Sequence, residues 1–229
     1  MSEIPTPTRT GSPSGSPAAG AGIGSGDVIV QLDGRDIRHG FDFHLALVDR
    51  KPGEDLKIQF EREGEKMETE VELGELELLE PVAEEGMKNG LEFEGFDGKW
   101  DSLPDFDKLE VVASGQVEAP TEEAYKTGNG ENYGLRFRGF LKVPREGLYT
   151  FYTSSDDGSR LRVGEQVVVN NDGLHGVLKS GGRIRLKQGL HPVEVTFFEQ
   201  GGAEELEVSW EGPDLSAQVI PKEAWFRKE

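Results

Sequence analysis

The chain has 229 residues and a formal net charge of −19, from 25 Lys and Arg against 44 Asp and Glu. This charge argues against nucleic acids and anionic membrane surfaces as partners, whereas carboxylates favour hard divalent cations. The chain has no cysteine, which excludes disulfides, thiolate zinc sites and a cysteine nucleophile. No window approaches the ~18 apolar residues of a membrane span, and the start lacks the apolar core of a signal peptide.

The composition predicts a mainly β protein. Apolar residues make up only 34% of the chain, and 31 Gly and 12 Pro are spread widely, which suits short strands joined by many turns. Residues 1–17 are rich in Pro, Ser, Thr and Gly, so they cannot bury enough apolar surface to offset their ordering entropy. We predict that this leader is disordered.

Residues 18–80 combine strand patterns with one helix pattern. Residues 28–32 alternate as a strand before the tight turn Asp33-Gly34. Further strands are predicted at 56–61 and 67–73. Apolar residues at helical spacing predict a short amphipathic helix: Phe41, Leu45 and Val48.

From residue 90 to residue 229 the pattern is β throughout. Alternate positions are apolar along 133–143, 193–197 and 206–210, and glycines separate these runs at the spacing of a sandwich or barrel. Residues 81–89 are acidic and end the preceding pattern, so they are predicted to form a linker. The expected organisation is a small α+β domain followed by a β-sandwich.

The run from Gly15 to Leu73 resembles the second half of a PDZ domain of the type found in high-temperature-requirement (Deg-like) serine proteases. The resemblance is carried by GSPAAGAGIGSGDVI and the following Asp-Gly turn. It implies that Phe41, Leu45 and Val48 line one side of a groove for protein C-terminal peptides. The carboxylate-binding loop and its strand would lie upstream, where the leader stands. We therefore expect an incomplete domain whose groove lacks one wall.

Residues 90–226 resemble the PA14 domain, known from a bacterial toxin, fungal flocculin adhesins and some glycosidases. The ordered segments that carry this resemblance are GLEFEGFDGKWDSLPDFDKL, NYGLRFRGFLKVPREGLYTFYTSSDDGSRLRV, VVNNDGLHG, LKQGLHPVEVTFFEQGGAEELEVSWEGP and VIPKEAWF. The resemblance implies an antiparallel β-sandwich. It also implies an extracytoplasmic protein with a role in adhesion, although the chain shows no signal peptide.

The pair Asp156-Asp157 in SSDDGSRL is the strongest candidate site. In sugar-binding PA14 domains two adjacent aspartates joined by a cis peptide hold a calcium ion that also binds sugar hydroxyls, and Asp156 and Asp157 match this pair. The alternative is a turn in which the carboxylates cap backbone N–H groups. Calcium is thus the cofactor that the resemblance implies.

Two neighbouring segments bear on this site. Asn170, Asn171 and Asp172 would offer further oxygen ligands or ligand contacts, but Asn-Asp-Gly is also an ordinary hairpin turn. Residues 199–205, EQGGAEE, occupy the position of a sugar-reading loop yet contain no aromatic ring to stack on a sugar.

No catalytic constellation stands out, since the histidines lack metal-ligand spacing and no serine has a nucleophile context. We therefore expect a non-catalytic binding module that binds glycans in a calcium-dependent way. The alternative is a protein-interaction fragment of a larger secreted or envelope protein, with a C-terminal peptide as partner. The sequence does not identify the ligand.

Overall fold

The structure is a computed structural model that describes residues 16–24, 26–38, 40–47, 50–74, 78–125 and 131–229. The chain divides between residues 74 and 78 into two compact units. We call them unit 1 and unit 2. The predicted disordered leader lies outside the described residues, apart from Ser16 and Pro17. Within the described part of the chain, no helix is both long and apolar enough to cross a membrane.

The described residues of unit 1 form two helices and a four-stranded sheet of order β2-β1-β3-β4. The elements in chain order are α1 (Pro17–Gly20), β1 (Val28–Leu32), β2 (Arg35–Asp36), α2 (Gly40–Leu47), β3 (Asp55–Arg62) and β4 (Glu65–Glu72). Every pairing in this sheet is antiparallel. The Asp33-Gly34 turn between β1 and β2 has positive φ at both residues, which the sequence Asp-Gly tolerates. The predicted strands and the predicted helix are confirmed.

The core of unit 1 is small. It is built from the inward positions of the strands and from residues beside them, with Ala18, Phe43 and Leu47 packed against it. The buried apolar residues are Ile23, Ile29, Leu32, Ile37, Leu56, Ile58, Phe60 and Val71. The alternation of buried and exposed residues along β3 is the period-2 pattern that the sequence shows.

Unit 2 is an antiparallel β-sandwich, which confirms the predicted fold class. Its first strands are β5 (Leu78–Leu79), β6 (Met87–Asn89), β7 (Leu91–Asp97), β8 (Ala113–Val117), β9 (Tyr133–Val143) and β10 (Gly147–Asp156). The remaining strands are β11 (Ser159–Val163), β12 (Gln166–Asn171), β13 (Leu178–Leu186), β14 (Gly189–Glu199), β15 (Glu205–Gly212), β16 (Leu215–Val219) and β17 (Trp225–Lys228). One sheet has the order β16-β15-β10-β13-β5, and the other runs β12-β11-β14-β9-β17-β6, with β7 beside β9 and β8 beside β7.

The two sheets of unit 2 enclose one core made from alternate residues of the long strands. Leu135, Phe137 and Leu141 of β9 are fully buried, as are Val195 and Phe197 of β14. From the other sheet, the rings of Tyr149 and Phe151 pack against Trp210 in a tilted arrangement. The candidate site lies at the ends of β10 and β14, next to this core.

The division between the units falls before the predicted one. Leu78 and Leu79 pair in parallel with β13, Val82 bridges Leu190, and residues 87–89 pair with β17. Residues 78–89 therefore belong to the sandwich, whereas the sequence placed 78–80 in the first domain and 81–89 in a linker. These pairings join positions more than a hundred residues apart, so local composition does not reveal them.

Candidate functional site

Strand β10 runs from the core of unit 2 to the candidate site. Its inward positions change along the strand from Tyr149 and Phe151 to Thr153 and Ser155, and all four are fully buried. Asp156 and Asp157 follow at its end. Buried hydroxyl and carboxyl groups at core positions are costly unless they have partners, so this change of chemistry marks a place where polar contacts matter.

Three carboxylates meet at this end of the sandwich. Asp156, Asp157 and Glu199 are all buried, and one carboxylate oxygen from each lies within 4.8 Å of the others. We call these residues the acidic cluster. The peptide bond between Asp156 and Asp157 is cis. Glu199 ends β14 in the other sheet, so the cluster joins both sheets.

Asp157 is held by the two loops beside the cluster. Its Oδ1 accepts a hydrogen bond from the backbone N–H of His175 at 3.0 Å, and its Oδ2 accepts one from the N–H of Gln200 at 3.0 Å. Asp156 accepts a backbone hydrogen bond from Val177. The capping role considered for these aspartates is therefore present, and it fixes both carboxylates beside Glu199.

Burial and mutual repulsion make the charged forms of the acidic cluster unfavourable. Burial raises the pKa of Asp156, and Asp157 adds to the rise. Burial also raises the pKa of Glu199 to about 7, opposed by the N–H of Gly201 and reinforced by both aspartates. One oxygen of Glu199, Oε2, is buried without a hydrogen-bond partner. Such a group is unfavourable unless a cation or a proton compensates it.

The three neighbouring candidates, Asn170, Asn171 and Asp172, differ in burial and in hydrogen-bond partners. Asn170 is exposed, and its Oδ1 accepts a hydrogen bond from Arg160. Both carboxylate oxygens of Asp172 are engaged, Oδ1 by the N–H of Leu103 at 2.6 Å and Oδ2 by Arg160 at 3.0 Å. Asn171 alone of the three is buried. It stands opposite Ser159 and contacts Ser155, the residue before the aspartate pair.

An exposed aliphatic rim borders the acidic cluster. The loop between β12 and β13 donates the His175 and Val177 N–H groups to the aspartates. In and beside this loop, Leu174, Val177 and Leu178 expose 48%, 56% and 48% of their surface. Such a concentration of exposed aliphatic side chains beside a polar cluster is typical of a ligand-binding surface.

The sequence places Glu199 in the loop 199–205 but does not identify it as a partner of Asp156 and Asp157. Its position two residues beyond the core residue Phe197 is the signal that places it on the inward face of β14. In unit 1, Phe41 and Leu45 lie in α2, but their side chains and all of Val48 lie outside the described residues. The peptide groove therefore stays a prediction.

The donor set of the acidic cluster fits a hard divalent cation. All its side-chain donors are carboxylate oxygens, which Ca²⁺ prefers, and backbone carbonyls, water or ligand hydroxyls would have to complete a shell of about 6 to 8 oxygens. A bound cation would account for the buried Glu199 Oε2, which has no hydrogen-bond partner. Among the described residues, these three carboxylates are the only such acidic group.

Comparison with known proteins agrees with this architecture. The family model of the PA14 domain matches residues 90–224, and that of the PDZ domain matches residues 13–73. No curated protein matches the chain.

Three solved structures illustrate the similarity. The PA14 domain of the MpAFP antifreeze protein is 16% identical with a TM-score of 0.53, over 64% of this chain and 94% of that domain. The A domain of epithelial adhesin 9 from Candida glabrata, in complex with Galβ1-4GlcNAc, is 12% identical with a TM-score of 0.53, over 68% of this chain and 97% of that one. An anti-sigma factor domain-containing protein is 16% identical with a TM-score of 0.54, over 76% of this chain and 59% of that one.

At these identities the solved structures establish the fold alone, and it is the fold expected from the sequence. The family model covers more than half of the chain and includes the acidic cluster and both loops beside it. The chain therefore belongs to the PA14 domain family, with a region that matches the PDZ domain before it.

Proposed function

We propose that unit 2 is a glycan-binding module in which a divalent cation, calcium, is held by Asp156, Asp157 and Glu199. The observation that carries the proposal is the acidic cluster itself: three buried carboxylates within 4.8 Å of one another, one of them with an unpartnered oxygen. A bound cation supplies positive charge that offsets this repulsion, and its open positions accept sugar hydroxyls.

Residues around the cluster have defined tasks in this function. The N–H groups of His175 and Gln200 hold Asp157 in place, so that its carboxylate needs little reorganisation when a cation binds. The aliphatic rim of Leu174, Val177 and Leu178 offers apolar contact to the C–H face of a sugar ring, in place of the aromatic ring that residues 199–205 lack. The A domain of epithelial adhesin 9, which shares the fold, was solved with a disaccharide bound. This complex supports the proposal that unit 2 binds glycans.

The proposed module is not an enzyme. Two of the carboxylates in the cluster are fixed by backbone N–H groups, and the exposed surface beside them is aliphatic. This arrangement suits retention of a ligand. An extracytoplasmic location and a role in adhesion are part of the same proposal.

Calorimetric titration of chelator-treated protein with CaCl₂ tests cation binding. We expect binding by the wild type and loss of at least tenfold in affinity in Asp157→Asn, because a charged ligand is removed. Asp172→Asn is the matched control, since Asp172 lies outside the acidic cluster and its carboxylate binds Leu103 and Arg160. Equal behaviour of Asp157→Asn and wild type would contradict the assignment.

A glycan array run with and without chelator tests the ligand class. The expected result is a set of glycans whose binding is lost in chelator and restored by added calcium. Glycan binding that persists in chelator would contradict the role of the cation, and an array without binders would contradict the ligand class.

A further inference from the structure

A chain of buried hydroxyl groups leads from the core to Asn171. Asn171 Nδ2 lies 3.1 Å from Ser155 Oγ, Ser155 Oγ lies 2.7 Å from Ser159 Oγ, and Ser159 Oγ lies 2.9 Å from Thr153 Oγ1. The three hydroxyl residues have no exposed surface, and Asn171 is 4% exposed. Leu161 and Val163 follow Ser159 at the inward positions of β11, so these hydroxyls occupy places that an apolar core would otherwise fill.

The donor and acceptor requirements of this chain fix the orientation of the Asn171 amide. Its Nδ2 also donates to the carbonyl oxygen of Leu178 at 2.8 Å, and a carbonyl can only accept. The nitrogen must therefore face Leu178 and Ser155, and the side-chain oxygen Oδ1 must face away from them. A flipped amide would place oxygen against oxygen.

The direction of the hydroxyl protons follows from the same requirement. Ser155 Oγ accepts from Asn171, so its single proton is free to point at Ser159, whose proton in turn points at Thr153. All three links are buried, where hydrogen bonds are strong and polarise one another, and the two between hydroxyl groups measure 2.7 and 2.9 Å. The network also crosses the sandwich, because β10 and β12 belong to different sheets.

We infer that Ser155 and Ser159 are positioning residues, which hold the Asn171 amide so that its Oδ1 serves as an oxygen ligand beside Asp156 and Asp157. This inference rests on the proposed function for its cation. The Asn171 Oδ1 accepts no hydrogen bond from the described part of the chain, in contrast to Asn170 and Asp172, whose side-chain oxygens are engaged by Arg160. Of the three neighbouring candidates, Asn171 is thus the one prepared to bind a ligand.

A double-mutant cycle tests the inference on the full chain. Calcium affinity is measured by calorimetry for wild type, Ser155→Ala, Asn171→Ala and the double variant. Removal of an outer-shell partner typically lowers metal affinity by about 10- to 100-fold. We expect a loss in this range for Ser155→Ala, and no further loss when the same change is made in Asn171→Ala. Ser154→Ala is the control, since the Ser154 hydroxyl binds Glu205 at 2.7 Å, and its affinity should equal that of the wild type.

A second readout needs no metal. In chelator-treated wild type, the Asn171 side-chain amide should give two well-separated, slowly exchanging proton resonances, and Ser155→Ala should bring them together and speed their exchange. If Ser155→Ala does not fold, Ser159→Ala replaces it, with a smaller expected loss because it acts one bond further away.

The outcomes separate the inference from the proposed function. A wild type that binds no calcium contradicts the proposed function, and with it the ligand role of Asn171. Two results overturn the inference alone. In the first, Ser155→Ala weakens calcium binding equally in wild type and in Asn171→Ala. In the second, Ser155→Ala does not weaken calcium binding at all. Unchanged Asn171 amide resonances in Ser155→Ala overturn the inference as well.

Discussion

Glu199 lies directly opposite Tyr133 across the β9–β14 pair, and each has a buried side-chain oxygen without a hydrogen-bond partner. Burial raises the pKa of Tyr133, with Glu204 and Glu199 as further causes, so its hydroxyl stays protonated. Glu199 therefore pairs in register with a neutral phenol and shares the acidic cluster with two aspartates. The charge of Glu199 is unfavourable without a compensating group, and the proposed cation would compensate it.

The metal-free protein should lose stability as pH rises through the neutral range. Because the folded-state pKa of Glu199 is raised from 4.5 to about 7, the folded state holds this proton more tightly than the unfolded state does. Its contribution is therefore complete below the unfolded pKa and is lost as pH rises to about 7. We expect the thermal midpoint of chelator-treated protein, followed by tryptophan fluorescence, to fall over this range in wild type relative to Glu199→Gln.

Comparison of wild type with Glu199→Gln cancels the effects of other titrating groups on the thermal midpoint. Burial lowers the pKa of His191, which makes stability rise with pH, in the opposite sense, and does so in both proteins. The difference between wild type and Glu199→Gln is thus the informative quantity. Parallel midpoint curves for the two proteins would show that Glu199 does not titrate abnormally.

Substitution of the aliphatic rim should weaken glycan binding without changing calcium affinity. Val177→Ser removes apolar surface beside the cluster, and burial of about half a valine side chain corresponds to about 1 kcal/mol, or roughly fivefold in Kd. The measurement is titration of calcium-loaded protein with a glycan identified on the array. Leu148→Ser is the control, because Leu148 is 44% exposed and lies near the opposite end of β10 from Asp156. A loss of equal size in both variants would contradict the assignment.

The sequence predicted the strands and the aspartate pair because both are local features. The large apolar residues at alternate positions of 133–143 and 193–197 are buried in the structure, although Gly134, Arg136 and Thr196 between them are buried as well. The choice among Asn170, Asn171 and Asp172 was not accessible, because it depends on a register shift between β11 and β12 at Leu161 and Arg162. One residue of slip reverses the face that every later side chain occupies. The role of Glu199 likewise depends on pairing between distant strands.

Unit 2 should not tolerate a side chain at Gly182. A Cβ at this position would lie 1.7 Å from the carbonyl oxygen of Val168, so the backbone of β12 or β13 would have to move. Overpacking of this kind costs typically 1–3 kcal/mol, and contact with backbone places Gly182→Ala at the upper end. Urea unfolding followed by tryptophan fluorescence measures it. At Gly176 a Cβ would approach only Asp156 Oδ2, at 3.9 Å, so Gly176→Ala should unfold near the wild-type midpoint.

Loss of the Asp27–Arg62 pair should destabilise unit 1. Asp27 is buried, and its carboxylate accepts hydrogen bonds from Arg62 Nε at 2.8 Å and Nη2 at 2.7 Å, and from the N–H of Gly24 at 2.8 Å. Arg62 also donates to the Gly22 carbonyl, so the pair ties the start of β1 to the end of β3. Asp27→Asn should therefore speed hydrogen exchange in residues 16–74. The three tryptophans, Trp100, Trp210 and Trp225, all lie in unit 2, so their fluorescence transition should stay at its wild-type position.

The pH dependence of this effect has a definite sign. The Arg62 hydrogen bond holds the pKa of Asp27 below its ordinary value of 3.8, so the pair stabilises unit 1 above the unfolded pKa and is lost as pH falls through the folded one. The excess exchange of Asp27→Asn over wild type should thus be complete at neutral pH and shrink below the unfolded pKa. Asp36→Asn is the control, because Asp36 pairs with Arg38 at 3.5 Å with both side chains exposed, where ion pairs contribute little. If hydrogen exchange in residues 16–74 responds equally to both substitutions, the claim that the Asp27–Arg62 pair stabilises unit 1 more than an exposed ion pair is wrong.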